Sequence, residues 1–239
     1  MSNWPRVAGF RVVMSWPESS QFAPVPAPRG RGRMRLAGFA GACLTVGGAL
    51  AILVAVLAQH HAPAPAASAA GRIAPASATG PSLRHSPPVS VAIPEIGVQS
   101  KLLHLGRNTD GSMQVPNLNT SASEAAWYKY SVTPGQIGTA VIEGHVDSYR
   151  GPAVFFRLGA LKPGNRIDVT LADGITAVFR VTGVREYAKA AFPASTIYGS
   201  SHYAALRVIT CGGDFDAATG HYLSSVVVFA SLVSSARAL

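Results

Sequence analysis

Cysteine is nearly absent: the 239 residues hold two, Cys43 and Cys211. That count excludes a fold stapled by several disulfides. Metal-binding patterns are missing as well. No HxxxH or HExxH occurs and no cysteine pair stands at ligand spacing, so no metal or other cofactor is expected. Asp214 and Asp216 are one short acidic pair, too little for a calcium loop. Charge is also scarce, at 13% of residues, and unevenly placed. Residues 89–239 carry twelve Lys/Arg against ten Asp/Glu, a net of +2 out of the formal +9. A nucleic-acid-binding domain would concentrate its basic residues on the folded part, so nucleic acid is not an expected partner.

The remaining positive charge sits at the N-terminal end. Residues 1–35 contain six arginines and one Glu18, and Arg29, Arg31, Arg33 and Arg35 immediately precede residues 36–58. That run, LAGFAGACLTVGGALAILVAVLA, is 23 residues without a charge, enough for a helix to cross a hydrocarbon core of about 30 Å. A buried core helix of this length would show a polar face. The arginines predict a cytoplasmic N-terminus and an extracytoplasmic remainder. The run exceeds the usual 7–15 residues of a signal h-region, which favours a retained anchor over a cleaved leader. Cys43 then lies in lipid and Cys211 outside, so the two do not pair.

Residues 59–88 are rich in Ala, Pro, Ser and Gly with no apolar period, and read as an extended tether. From residue 89 the pattern changes to short β-rich runs between turn signals: VSVAIPEIGV, GTAVIEGHV, RIDVTLADGITAVFRVTGV, LRVITC and SSVVVFASLV. Ile167, Val169 and Leu171 alternate with polar residues, as a half-buried strand requires, and Asp173-Gly174 reads as a hairpin turn. Helical patterns are few and short, at 120–125 and 154–158. A mainly β domain over 89–239, a closed barrel or a sandwich of about eight strands, is expected.

Cys211 is a lone thiol in an oxidising location, where cysteines are otherwise used in pairs. It ends the run LRVIT and precedes Gly212-Gly213, which let the chain turn and leave the sulfur accessible. A thiolate needs a cationic or hydrogen-bonding neighbour, and His is the side chain that relays protons near neutral pH. Among seven histidines, His145 ends the apolar strand TAVIEG and precedes Asp147. His60, His61 and His85 flank the anchor or lie in the tether, while His104, His202 and His221 are expected at the surface. Trp127, Tyr128 and Tyr130 are read as core or barrel rim.

Together TAVIEGHVDS…GPAVFFRLGALKPG and LRVITCGGDFD…GHY…VVVFA resemble the sortases, most closely the class F group of actinobacteria. LRVITC is similar to that family's TLxTC signature, and the likeness runs over about residues 89–233 with WYKYSVTPGQIG and FPASTIYG included. The resemblance implies a sortase-type barrel, with the family's histidine on His145 and its nucleophile on Cys211. It further implies cleavage of an LPxTG-like sorting signal through a Cys211 thioester, resolved by an amine of the cell-wall precursor. The family also has an arginine on the strand after the cysteine. Here Leu223 and Ser224 stand at that place, and no arginine occurs between Cys211 and Arg237. Arg207 shares strand parity with Cys211 but lies about 13 Å along the strand, which suits a groove-lining or electrostatic role. Asp147, Arg150 and Arg185 are further candidates. A secreted thiol hydrolase, or a peptide-binding barrel without catalysis, are the alternatives.

Overall fold

The computed structural model describes residues 61–75 and 80–237. In chain order the strands are β1 (Pro88–Ile93), β2 (Val98–Leu105), β3 (Ala125–Tyr128), β4 (Gly138–Glu143), β5 (Asp147–Ser148), β6 (Gly151–Pro152), β7 (Arg166–Leu171), β8 (Ile175–Ala188), β9 (Ala204–Asp216) and β10 (His221–Arg237). Eight of them close a barrel in the order β1-β2-β3-β4-β9-β10-β8-β7, and β5 pairs with β6 apart from it. The pairs β2–β3 and β4–β9 are parallel, and the other barrel pairs are antiparallel. The mainly β domain of about eight strands expected from the patterning is therefore present, and of the two architectures left open it is the closed barrel.

Among the described residues the only α-helix is α1 (Ala194–Tyr198), with single 3₁₀ turns such as Leu158–Ala160 and Lys189–Ala191. The segment 120–125, expected to be helical, is a turn leading into β3. No described helix is long and apolar enough to cross a membrane. The spanning segment expected at residues 36–58 lies outside the described residues, as does the Arg-rich tail before it.

Alternation puts one face of each strand into the barrel. Ile167, Val169 and Leu171 of β7 are buried there with Phe179 of β8, Leu206 and Val208 of β9, and Val226 and Val228 of β10. The β7–β8 turn is as the Asp-Gly pair predicts, with Gly174 at φ +79° and the Asp173 carboxylate accepting from the Ile175 N–H at 3.1 Å. The strands β4, β9 and β10 lack clean alternation because their outer face is covered too. There Val141, Ile209, Val227 and Phe229 pack with Met113, Tyr128 and Ile197 of α1. A continuous apolar run such as TAVI reflects burial on both faces.

One expectation needs correcting in its detail. Residues 62–75 and 80–88, anticipated as part of an extended tether over 59–88, lie along the barrel wherever they are described. Arg72 N–H donates to the Thr182 carbonyl at 2.8 Å, and the Arg185 guanidinium donates to the carbonyls of Ala70 and Gly71, both at 3.1 Å. Tyr203 donates its hydroxyl to the Ile73 carbonyl at 3.0 Å, and Ala69 is buried. A side chain at Gly159 would place its Cβ 1.9 Å from the Pro63 carbonyl oxygen. Composition poor in large apolar residues misses this docking, because the contacts are made by backbone carbonyls rather than by side chains.

Candidate active site

Two parallel strands deliver the site. In the β4–β9 register Glu143 lies opposite Ile209. The pairing continues past it: Gly144 N–H donates to the Ile209 carbonyl at 3.2 Å, and the Thr210 hydroxyl to the Gly144 carbonyl at 2.9 Å. His145, two residues past the end of β4, and Cys211, inside β9, are therefore brought side by side. Contrary to the expectation that Cys211 ends its strand and Gly212-Gly213 turn the chain, β9 runs on to Asp216 because its pairing with β10 continues. Strand parity places Cys211 on the outer face of the sheet with Ile209 and Arg207, opposite the barrel interior occupied by Leu206 and Val208.

Both groups are buried, with Cys211 and His145 each about 5% exposed or less. The His145 Nε2–H donates to the Pro116 carbonyl at 2.6 Å, which leaves Nδ1 as the acceptor in the neutral ring. Burial lowers the pKa of His145, opposed by the Pro116 hydrogen bond and by the charge of Asp147. The Asp147 carboxylate in turn accepts a hydrogen bond from the Tyr222 hydroxyl. Burial, then this bond to Asp147, and then the charges of Asp147 and Cys211 raise the Tyr222 pKa, so the phenol keeps its proton. Tyr222 thus ties the loop after His145 to the strand beside Cys211.

The sulfur itself has a cationic neighbour. Lys189 Nζ donates to Cys211 Sγ at 3.5 Å. Beyond the cysteine, Gly213 adopts φ +71°, and a Cβ there would come within 2.7 Å of the Ser224 hydroxyl and 2.8 Å of a Glu186 carboxylate oxygen. The second glycine is thus required both by conformation and by space.

The other residues singled out from the sequence lie elsewhere. Arg207 is buried with its guanidinium 4.7 Å over the Phe229 ring, and Nη1 donates to the Leu206 carbonyl at 3.2 Å. Phe229 is its partner on β10, whereas Cys211 is opposite Ser225, four residues away. Burial lowers the Arg207 pKa, offset by Tyr203 and Tyr187. Arg150 stacks on Tyr149 at 5.0 Å, and Arg185 holds residues 70 and 71. Leu223 is 52% exposed at a bulge between Tyr222 and Ser224. His104 bonds the Pro88 carbonyl at 2.7 Å, and His104 and His202 are exposed. Trp127 and Tyr128 are buried while Tyr130 is exposed, a core and rim arrangement. Among the described residues no cluster of His, Cys, Asp or Glu could hold a metal ion.

Sequence reasoning missed Lys189, Tyr222 and Glu143. Tyr222 is the tyrosine of the GHY motif and could have been suspected from it. Lys189 had no local signal, because it reaches the thiol from across β10. Glu143, two residues before His145, is fully enclosed, and its Oε1 has no hydrogen-bond partner. Burial raises its pKa well above the usual carboxylate range. Its charge also helps to raise the pKa of the buried Tyr198 hydroxyl. Close by on the same outer face is a cavity of about 660 Å³, lined by Arg107, Met113, Tyr128, Phe192, Ser195 and Tyr198.

The folded protein holds the Glu143 proton more tightly than the unfolded chain does. Its contribution is therefore full below the ordinary carboxyl range and is lost as pH rises from there through the folded pKa. Glu143→Gln, which keeps the shape without the ionisation, is expected to raise stability at pH 8 by about 1–3 kcal/mol. That gain corresponds to several degrees in Tm, and it should vanish at pH 4. A melting series that shows the same pH slope for both proteins would refute the enclosed-carboxyl account.

The sortase domain family profile matches residues 91–233, about three fifths of the chain. Among solved structures, Listeria monocytogenes sortase A shares 15% identity over 65% of this chain and 92% of its own, with a TM-score of 0.48. The SrtA sortase from Actinomyces oris shares 19% over 65% and 84%, TM-score 0.45. Sortase A from Corynebacterium diphtheriae shares 19% over 63% and 62%, TM-score 0.45. No curated protein matches the chain.

Proposed function

The chain belongs to the sortase family of cysteine transpeptidases, and from that premise we propose that it cleaves an LPxTG-like sorting signal and transfers the released protein to an amine of the cell wall. The observation that carries this reading is the pair His145, just past the end of β4, and Cys211, on the adjacent parallel strand β9, with a cation at the sulfur. The class F likeness of the motifs belongs to the same proposal.

The chemistry follows from the two side chains. The Cys211 thiolate attacks the carbonyl carbon of the scissile peptide bond, forming the C–S bond while the carbonyl electron pair moves to oxygen. Collapse breaks the C–N bond, and the leaving amine takes a proton from the His145 imidazolium. An incoming amine then attacks the thioester, gives a proton back to His145 and expels the Cys211 thiolate. Splitting one hard step into two, with acid–base help, is what a nucleophile–histidine pair accomplishes. The cavity on the same face as Cys211 is of a size to take side chains of an extended peptide.

The proposal also covers placement. Residues 36–58 anchor the chain in the cell membrane with the N-terminus in the cytoplasm, and the barrel works outside, within reach of secreted substrates and cell-wall precursors. The supporting features are the uncharged 23-residue run and the arginines before it.

Incubation of the protein with an LPxTG-type peptide, with and without a glycine-based amine, tests the reading by intact mass. A mass increase at Cys211 that converts to an amide product when amine is present is the expected result. Release of free acid at a rate indifferent to added amine would make the protein a thiol hydrolase instead. Absence of any adduct or cleavage would point to a binding barrel.

A further inference from the structure

The motif comparison leaves the barrel without the arginine that its family carries on the strand after the cysteine: Leu223 stands there, half exposed and apolar. We infer that Lys189 supplies the missing cation, held at the Cys211 sulfur from the far side of β10, and serves both the thiolate and the oxyanion formed from it. This inference rests on the transpeptidase reading for its second half only.

The geometry begins with strand order. β10 lies between β9 and β8. Cys211 is opposite Ser225, and Ser225 is opposite Tyr187, so Lys189 begins two residues beyond that row. Crossing two strand spacings is about 10 Å, a span that only a long side chain closes. β8 ends at Ala188, and the 3₁₀ turn Lys189–Ala191 frees Lys189 from the ladder at this point. The residue it passes is Ser225, a small side chain whose hydroxyl is wholly buried and has no hydrogen-bond partner. The result is Lys189 Nζ 3.5 Å from Sγ.

The other basic residues considered for this role are engaged away from the thiol. Arg207 stacks on Phe229, Arg185 bonds the carbonyls of Ala70 and Gly71, and Arg150 stacks on Tyr149. A cation beside a thiol favours the thiolate. During attack the negative charge passes from sulfur to the carbonyl oxygen, one bond beyond the atom that the sulfur joins. An ammonium already at the sulfur remains in reach of that oxygen. Catalysis of this kind needs a donor placed before the charge develops.

The decisive measurement uses the full chain in detergent, with alkylation of Cys211 separated from that of Cys43 by peptide mapping. Iodoacetate is anionic and iodoacetamide neutral, so a cation at the sulfur favours the first over the second. Lys189→Met is expected to slow iodoacetate at Cys211 about tenfold or more while slowing iodoacetamide less. Lys189→Arg, which keeps the positive charge, should retain both rates within about threefold. Acylation by an LPxTG-type peptide should fall by about 10²–10³-fold in Lys189→Met and survive in Lys189→Arg. Lys189 is partly exposed, so its replacement should leave the barrel intact, which circular dichroism of the variants checks.

Unchanged alkylation rate and selectivity in Lys189→Met overturns the inference, whatever the peptide does. Unchanged acylation in that variant overturns it equally. Lys189→Arg behaving like Lys189→Met would make shape rather than charge the cause and would also overturn it. If the wild-type protein shows Lys189-dependent alkylation but never takes the peptide, the cation at Cys211 stands and the transpeptidase reading fails.

Discussion

Cys211→Ala is expected to end thioester formation completely, with no residual adduct by intact mass and no amide product at any amine concentration. The reason is chemical rather than structural. The covalent route passes through a bond from the substrate carbonyl to Sγ, and neither His145 nor Lys189 can form that bond in its place. The fold should tolerate the change. Cys211 is buried opposite Ser225 on β10, and trimming one sulfur there costs about 1 kcal/mol. A thermal melt within a few degrees of wild type, alongside zero acylation, is the anticipated pair of results. Turnover that survives in Cys211→Ala would remove the nucleophile from the proposed reaction.

His145→Ala is expected to produce the second largest loss, about 10²–10⁴-fold in acylation by a peptide. Its cause can be distinguished from simple damage. A peptide's leaving amine must be protonated as the C–N bond breaks, whereas an activated ester or thioester leaves without that help. The loss in His145→Ala should therefore be much smaller for an activated ester carrying the same sorting sequence. Equal losses on both substrates would mean that His145 acts by positioning, or that the Pro116 carbonyl it satisfies holds the loop in shape. The depressed pKa of the buried ring places the neutral, proton-accepting form within easy reach at physiological pH. That form suits the return step, in which the incoming amine gives up its proton.

Much of this site was legible along the chain. Period-two alternation in 167–171 and the Asp173-Gly174 turn identified a hairpin, and both are found in β7 and β8. The position of His145 just past a strand end was visible because the apolar run TAVI stops before it, whereas Cys211, read as ending its strand, lies inside β9, which continues to Asp216. Leu223 could be recognised as a departure because the surrounding residues otherwise hold to the pattern. The coverage of both faces of β4 was also implicit in its unbroken apolar run, though what covers the outer face was not.

The less legible features share one physical origin. Side-chain periodicity is a local property, and it says which face a residue takes but not which strand lies next to it. The order β9, β10, β8 is set by packing of the whole barrel, and it alone brings Lys189 to a sulfur 22 residues away. Burial is likewise collective. Glu143 reads as an ordinary carboxylate in VIEG, and only the segments packed around it deprive its Oε1 of water and of a partner. The same holds for residues 62–75, whose composition gives no apolar pattern while their carbonyls accept bonds from Arg185 and Tyr203 and the Arg72 N–H donates to the Thr182 carbonyl of β8.

The sequence by itself determined that this protein is a mainly β domain with a thiol and an imidazole on two apolar strands, because strand period, turn chemistry and residue type are written in neighbouring positions. Only the tertiary structure decided which charge stands at the thiol, which carboxyl is shut away from water and what the N-terminal segment rests on. Those depend on distances between residues far apart in the chain, and a closed barrel fixes such distances only after every strand has found its partner.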